Sequence, residues 1–189
     1  MENPPQAKPS PTPPISPAAT SRPGRVPVEL RDLDMRIASD GTWYYRASPI
    51  NRPALVKLFA SVLRREDDGS YWLVTPAERG QVVVEDAPFV AVSLDIEGEG
   101  SSQRLIFRSN LDEIVAAGPA HPLRIKTAPD GTPSPYILMR PGLEARIARP
   151  VFYELADLGI PETIDGETKF GVWSDGTFFE LGDPGEDEE

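Results

Sequence analysis

The chain has 189 residues, 39% of them hydrophobic, with a formal net charge of −11 and an isoelectric point near 4.6. That balance allows one domain or two small ones, and it disfavours extended duplex nucleic acid, whose phosphates most of this surface would repel. With no cysteine and one histidine, His121, the sequence excludes disulfides, thiolate catalysis and zinc–thiolate sites, and it leaves a triad or multi-histidine metal site a single residue to rest on.

Residues 1–27 carry nine prolines, from Pro4 to Pro27, and have little to bury. They predict a disordered, polyproline-biased arm. The segment has neither the charged nor the apolar region of a signal peptide, and no stretch of the chain is apolar for long enough to span a bilayer. The expectation is a soluble cytoplasmic protein that makes no use of a membrane.

From residue 35 onward a set of landmarks occurs twice. "MRIASDGT" at 35–42 resembles "LRIKTAPDGT" at 123–132, and "INRP" at 50–53 resembles "IARP" at 147–150. Each Arg-Pro is followed by an Asp-Gly 15 residues beyond the proline, at Asp68-Gly69 and Asp165-Gly166. Asp-Gly between apolar runs suits a tight hairpin turn, and this predicts further turns at Asp40-Gly41, Asp130-Gly131 and Asp175-Gly176. Proline suits the first position of a helix, where its missing N–H costs nothing. Helices are therefore predicted from Pro53 to about Arg65, with Leu55, Leu58, Phe59, Val62 and Leu63 on one apolar face, and from Pro150 to about Leu158. "NLDEIVAAG" reads as a short helix capped by Asn110, and "PAHP" as a connector near residue 120.

The fold class predicted is α+β: two small β-rich domains over 28–120 and 121–183, each built on a hairpin–helix–hairpin motif. An acidic, solvated tail follows over 184–189.

Catalytic signatures are few. There is no phosphate-cradling glycine loop, no dinucleotide fingerprint and no nucleophile elbow. Glu85 and Asp86 are adjacent on an extended segment and so point to opposite faces. An enzyme is the least favoured reading, and no cofactor or metal is expected.

Charge is more informative. Between Gly41 and Arg65 there is no Asp or Glu, yet the window carries Arg46, Arg52, Lys57, Arg64 and Arg65. It also holds Trp43, Tyr44, Asn51 and a helix start, whose free N–H groups favour an anion. A cation at a helix N-terminus is unfavourable unless an anion accompanies it, so Arg52 and its counterpart Arg149 each need one. The candidate ligand site is Trp43, Tyr44, Arg46, Asn51, Arg52, Lys57 and Arg149. The two arginines would clamp a small anionic, nucleotide-like ligand, Asn51 would orient it, an aromatic ring would stack on it, and Arg46 and Lys57 would add positive field. The competing reading is that the arginines pair with protein carboxylates in a protein-interaction or scaffolding module that has no small ligand.

The stretch "DGTWYYRASPINRPALVKLFASVLRREDDGSYWLVTPAE" at 40–78 resembles the hallmark segment of the bacterial domain of unknown function 1285 family, and the likeness runs over roughly 28–183. The resemblance implies two domains with duplicated motifs, the second loosely similar to pleckstrin-homology folds. It also implies a ligand site at the domain interface and a signalling role, with no established activity.

Overall fold

The computed structural model describes residues 28–30, 33–127 and 131–182. The proline-rich arm, Asp130 of the predicted third turn and the acidic tail lie outside the described residues.

The first unit runs through β1 (Val28–Leu30), β2 (Met35–Ile37), β3 (Trp43–Tyr45), β4 (Ser48–Pro49), α1 (Pro53–Ser61), β5 (Leu63–Arg65), β6 (Tyr71–Val74) and β7 (Glu78–Val84). Its seven-stranded sheet has the order β4-β3-β2-β7-β6-β5, with β1 also on β7. The pairing of β2 with β7 is parallel and joins the β2–β3–β4 strands to the β5–β6–β7 strands.

The second unit begins with β8 (Phe89–Glu97), β9 (Arg104–Ser109), β10 (Ile114–Ala116), β11 (Leu123–Thr127), β12 (Pro133–Arg140) and β13 (Leu143–Ile147). These form a six-stranded sheet in the order β10-β9-β8-β13-β12-β11. Then come α2 (Arg149–Asp157) and a three-stranded sheet of β14 (Ile160–Ile164), β15 (Glu167–Ser174) and β16 (Thr177–Glu180). The class is α+β, rich in strands, with two nine-residue helices.

The turns follow from residue type. Gly41, Gly69, Gly131, Gly166 and Gly176 all have φ between +70° and +86°, and each lies between two antiparallel strands. Each helix has its proline in the first turn and no side-chain cap.

Three expectations are corrected. First, residue 120 does not separate two sheets. The strands on either side of it, β10 and β11, belong to the same six-stranded sheet, and the change of sheet falls between Val84 and Phe89. Second, α1 stops at Ser61, with Val62 as its C-cap, because Leu63–Arg65 pairs with β6 in a hairpin closed by Gly69. Third, "NLDEIVAAG" is a turn and a strand. Asp112 has φ +65°, Ser109 Oγ accepts from the N–H groups of Leu111 and Glu113, and Ile114–Ala116 pairs with β9.

One apolar core serves both units and joins Trp43, Phe89, Phe107, Ile137, Leu155 and Val172. Polar contacts tie the units around it. Lys57 Nζ lies 2.5 Å from Asp112 Oδ2, and the Arg140 guanidinium donates to the Ala60 carbonyl at 2.9 Å and pairs with Glu113 at 3.0 Å. At the junction Glu85 pairs with Arg36 and accepts from the Ser39 N–H, both in the first unit. Its neighbour Asp86 accepts from the Tyr136 hydroxyl at 2.7 Å and from Arg146 at 3.4 Å, both in the second.

Candidate functional site

The two helix starts sit in different surroundings. Arg52 is the N-cap of α1 and is exposed. Arg149 opens α2, is exposed, and lines a cleft of about 660 Å³. Neither guanidinium has a carboxylate partner among the described residues. Arg52 is not part of the wall of that cleft.

The cleft lies where the β2–β3 turn of the first unit approaches α2. Ser39 and Asp40 form one wall, and Arg146, Arg149, Phe152 and Tyr153 form the other. Arg149 and Tyr153 are one helical turn apart and share a face, so the tyrosine, 57% exposed, stands beside the free cation. Arg146 is partly committed to Asp86. The Thr42 N–H, 2.8 Å from Asp40 Oδ1, holds the Asp40 carboxyl below the usual carboxylate range, so this wall is negative at neutral pH.

The other expected site residues lie elsewhere. Trp43 is 1% exposed and stacks on Phe59, with ring centroids 6.3 Å apart, so its ring has no free face for a ligand. It is a core residue, with its Nε1 unpaired. Tyr44 has the Arg36 guanidinium 4.2 Å above its ring. Arg46 leans over Tyr45 at 5.2 Å. Asn51 is exposed beside Arg52. Lys57 is ion-paired with Asp112, whose carboxyl is held low by that contact. Of the seven, only Arg149 lines the cleft. Ser39, Asp40, Phe152 and Tyr153 were not among the expected residues. The spacing of Arg149 and Tyr153 was readable in the sequence, but the approach of the β2–β3 turn was not.

Among the described residues, no three His, Asp or Glu side chains are grouped as a metal site requires. No helix there is long and apolar enough to cross a membrane.

The molecule is thus a two-part α+β protein, its halves sharing a core and meeting at a cleft that carries one unpartnered arginine. Two family models match consecutive stretches of the chain: the N-terminal domain of a domain of unknown function, DUF1285, over residues 25–87, and the C-terminal domain of a protein of unknown function, DUF1285, over 88–181. The chain belongs to the DUF1285 family. The two models meet where the sheets change. A DUF1285 family protein from Silicibacter pomeroyi DSS-3, in a crystal structure, is 47% identical, with 87% of each chain covered and a TM-score of 0.78. One from Shewanella baltica OS155 is 27% identical, covers 65% of this chain and 90% of its own, and has a TM-score of 0.51. No protein of curated function matches the chain.

Proposed function

We propose that the chain is a cytoplasmic regulatory module that binds a small anionic, nucleotide-like ligand in the cleft between its two units. The observation that carries this reading is Arg149. It is an exposed cation at the positive end of α2, where a bound anion removes the electrostatic penalty, and no described carboxylate neutralises it. Tyr153 offers a ring to stack on, and Ser39 and Asp40 suit ligand hydroxyls on the opposite wall. Arg52 belongs to another surface in this reading, so the clamp is Arg149 with Arg146.

The same order of elements supports a duplicated origin. Three strands, a proline-started helix and three strands occur over 35–84 and again over 123–180. On that basis we read the second copy as the loosely pleckstrin-homology-like half.

Thermal unfolding with nucleoside mono-, di- and triphosphates and with inorganic phosphate tests the proposal. A bound ligand at about 100 times its Kd stabilises the fold by about 2.7 kcal/mol, and Arg149→Ala should abolish the shift. No shift with any of these compounds, or an undiminished one in Arg149→Ala, would count against the reading.

A further inference from the structure

The Arg149 cleft carries a second unpaired charge, supplied by the first unit. Asp40 lines it from the β2–β3 turn. The cation whose charge acts on Asp40 is Arg36, and Arg36 is itself paired with Glu85. The Asp40 carboxyl accepts from the Thr42 N–H and is ionised at neutral pH, which makes it an acceptor only, while the Arg149 guanidinium is a donor only. Among the described residues neither has an ion-pair partner, and they do not pair with each other. Two opposite charges thus line one cleft of about 660 Å³, a volume within the range of ligand pockets, and the connection between them is left to an occupant.

The turn that carries Asp40 is held against the second unit. Asn110 accepts from the Val90 N–H at 3.1 Å, and its Nδ2 lies 3.5 Å from the Gly41 carbonyl. Gly41 approaches so closely that a Cβ there would lie 2.6 Å from Asn110 Nδ2 and 3.0 Å from Cγ2 of Val90, itself a cleft residue. The Thr42 N–H, 2.8 Å from Oδ1, then fixes the carboxylate on its turn. Asp40 is therefore set in place relative to α2 before any ligand arrives, which lowers the entropic cost of binding. The start of α2 has no side-chain cap to compete with an anion for its free N–H groups. Phe152, Pro133 and Pro135 add apolar lining that suits a flat ring.

We infer that the cleft selects nucleotides carrying two adjacent hydrogen-bond donors away from their phosphate, and that Asp40 is the residue that reads them. The inference rests on the nucleotide reading of the cleft and adds which nucleotides fit. Two groups of a nucleoside phosphate have this chemistry. One is the ribose cis-diol, whose hydroxyls can donate to a carboxylate. The other is the guanine edge that presents a ring N–H beside an amino group. Adenine instead sets a ring acceptor beside its amino donor, so a lone pair would face the ionised carboxylate. A 2′-deoxyadenosine phosphate offers neither pair of donors.

The test is titration calorimetry of the full chain with the 5′-monophosphates of guanosine, adenosine, 2′-deoxyguanosine and 2′-deoxyadenosine. The guanosine compound should bind about tenfold or more tightly than the 2′-deoxyadenosine compound, as a hydrogen bond to a charged acceptor requires. If 2′-deoxyguanosine monophosphate keeps that affinity, the donors are on the base. If adenosine monophosphate keeps it, they are on the ribose. Asp40→Ala should bring all four compounds to the level of the weakest. Asp40→Asn keeps an oxygen for the Thr42 N–H but replaces the other with a donor, and it should lose the preference too. Asp40 is exposed, so both variants keep their fold, which their unfolding midpoints check. Equal affinity for all four compounds, abolished by Arg149→Ala, would overturn the inference and leave the nucleotide reading standing. So would an order of affinities that Asp40→Ala does not alter. Binding of none of the four would overturn both.

Discussion

Gly41 sits at φ +85°, and a Cβ there would lie 2.6 Å from Nδ2 of Asn110, the side chain that reaches across from the second unit. Gly41→Ala should therefore cost about 2 kcal/mol, read as a fall of about 4–8 °C in Tm. The opposite case is the β3–β4 turn, where Arg46 and Ala47 hold φ +48° and +64° without being glycine. Ala47→Gly relieves one left-handed residue and should raise Tm by about 2–4 °C, a gain that thermal unfolding would measure. The contrast explains what was legible at this scale. An Asp-Gly announces its turn because glycine is cheap at positive φ, and the four pairs described in full do close hairpins. Arg-Ala announces nothing, and its turn exists because β3 and β4 pair on either side of it.

At the scale of elements, the apolar spacing of residues 55–63 located α1 and part of its inner face: Phe59, Val62 and Leu63 do pack on the core, but Leu58 does not, and Val56 and Ala60 were missed. Leu63 satisfies both a helix period and the hairpin it belongs to, and the cross-strand partner Leu73 is invisible to a local pattern. The residues of α1 that are fully buried are Val56 and Ala60, while Leu58 is left 60% exposed. Val56→Ala should thus cost about 1–3 kcal/mol, whereas Leu58→Gln should stay within about 0.5 kcal/mol, by denaturant unfolding of each variant. The reverse order would put the core on the face that periodicity alone suggests. The same limit explains residues 110–118, where Asn110, expected as a helix cap, instead accepts from the Val90 N–H at 3.1 Å on a neighbouring strand. Of the candidate site, Arg149 could be picked out because a cation at a helix start is an electrostatic anomaly. Trp43 could not be cleared of a ligand role, because burial depends on Phe59 arriving from α1.

At the scale of the whole molecule, four residues between Val84 and Phe89 divide one sheet from the next, and the two carboxylates there are shared out between the units. Glu85 holds the first and Asp86 the second, which makes Tyr136 a fastening of the junction as well as a core residue, 5% exposed. Burial, and then the hydrogen bond to Asp86, push the Tyr136 phenol up to about 12. Tyr136→Phe removes a hydrogen bond to a charged acceptor and should cost about 1.5–3 kcal/mol at neutral pH. The pH dependence separates this from simple loss of packing. The folded-state value lies above the unfolded value of 10.0, so the contribution is whole below pH 10.0 and is lost as pH rises towards about 12, where the unfolded chain ionises first. Denaturant unfolding of both proteins from neutral to alkaline pH should therefore show a stability gap that is constant up to about pH 9 and narrows beyond it. A gap of unchanged size across that range would mean that Asp86 does not hold the junction through this hydroxyl.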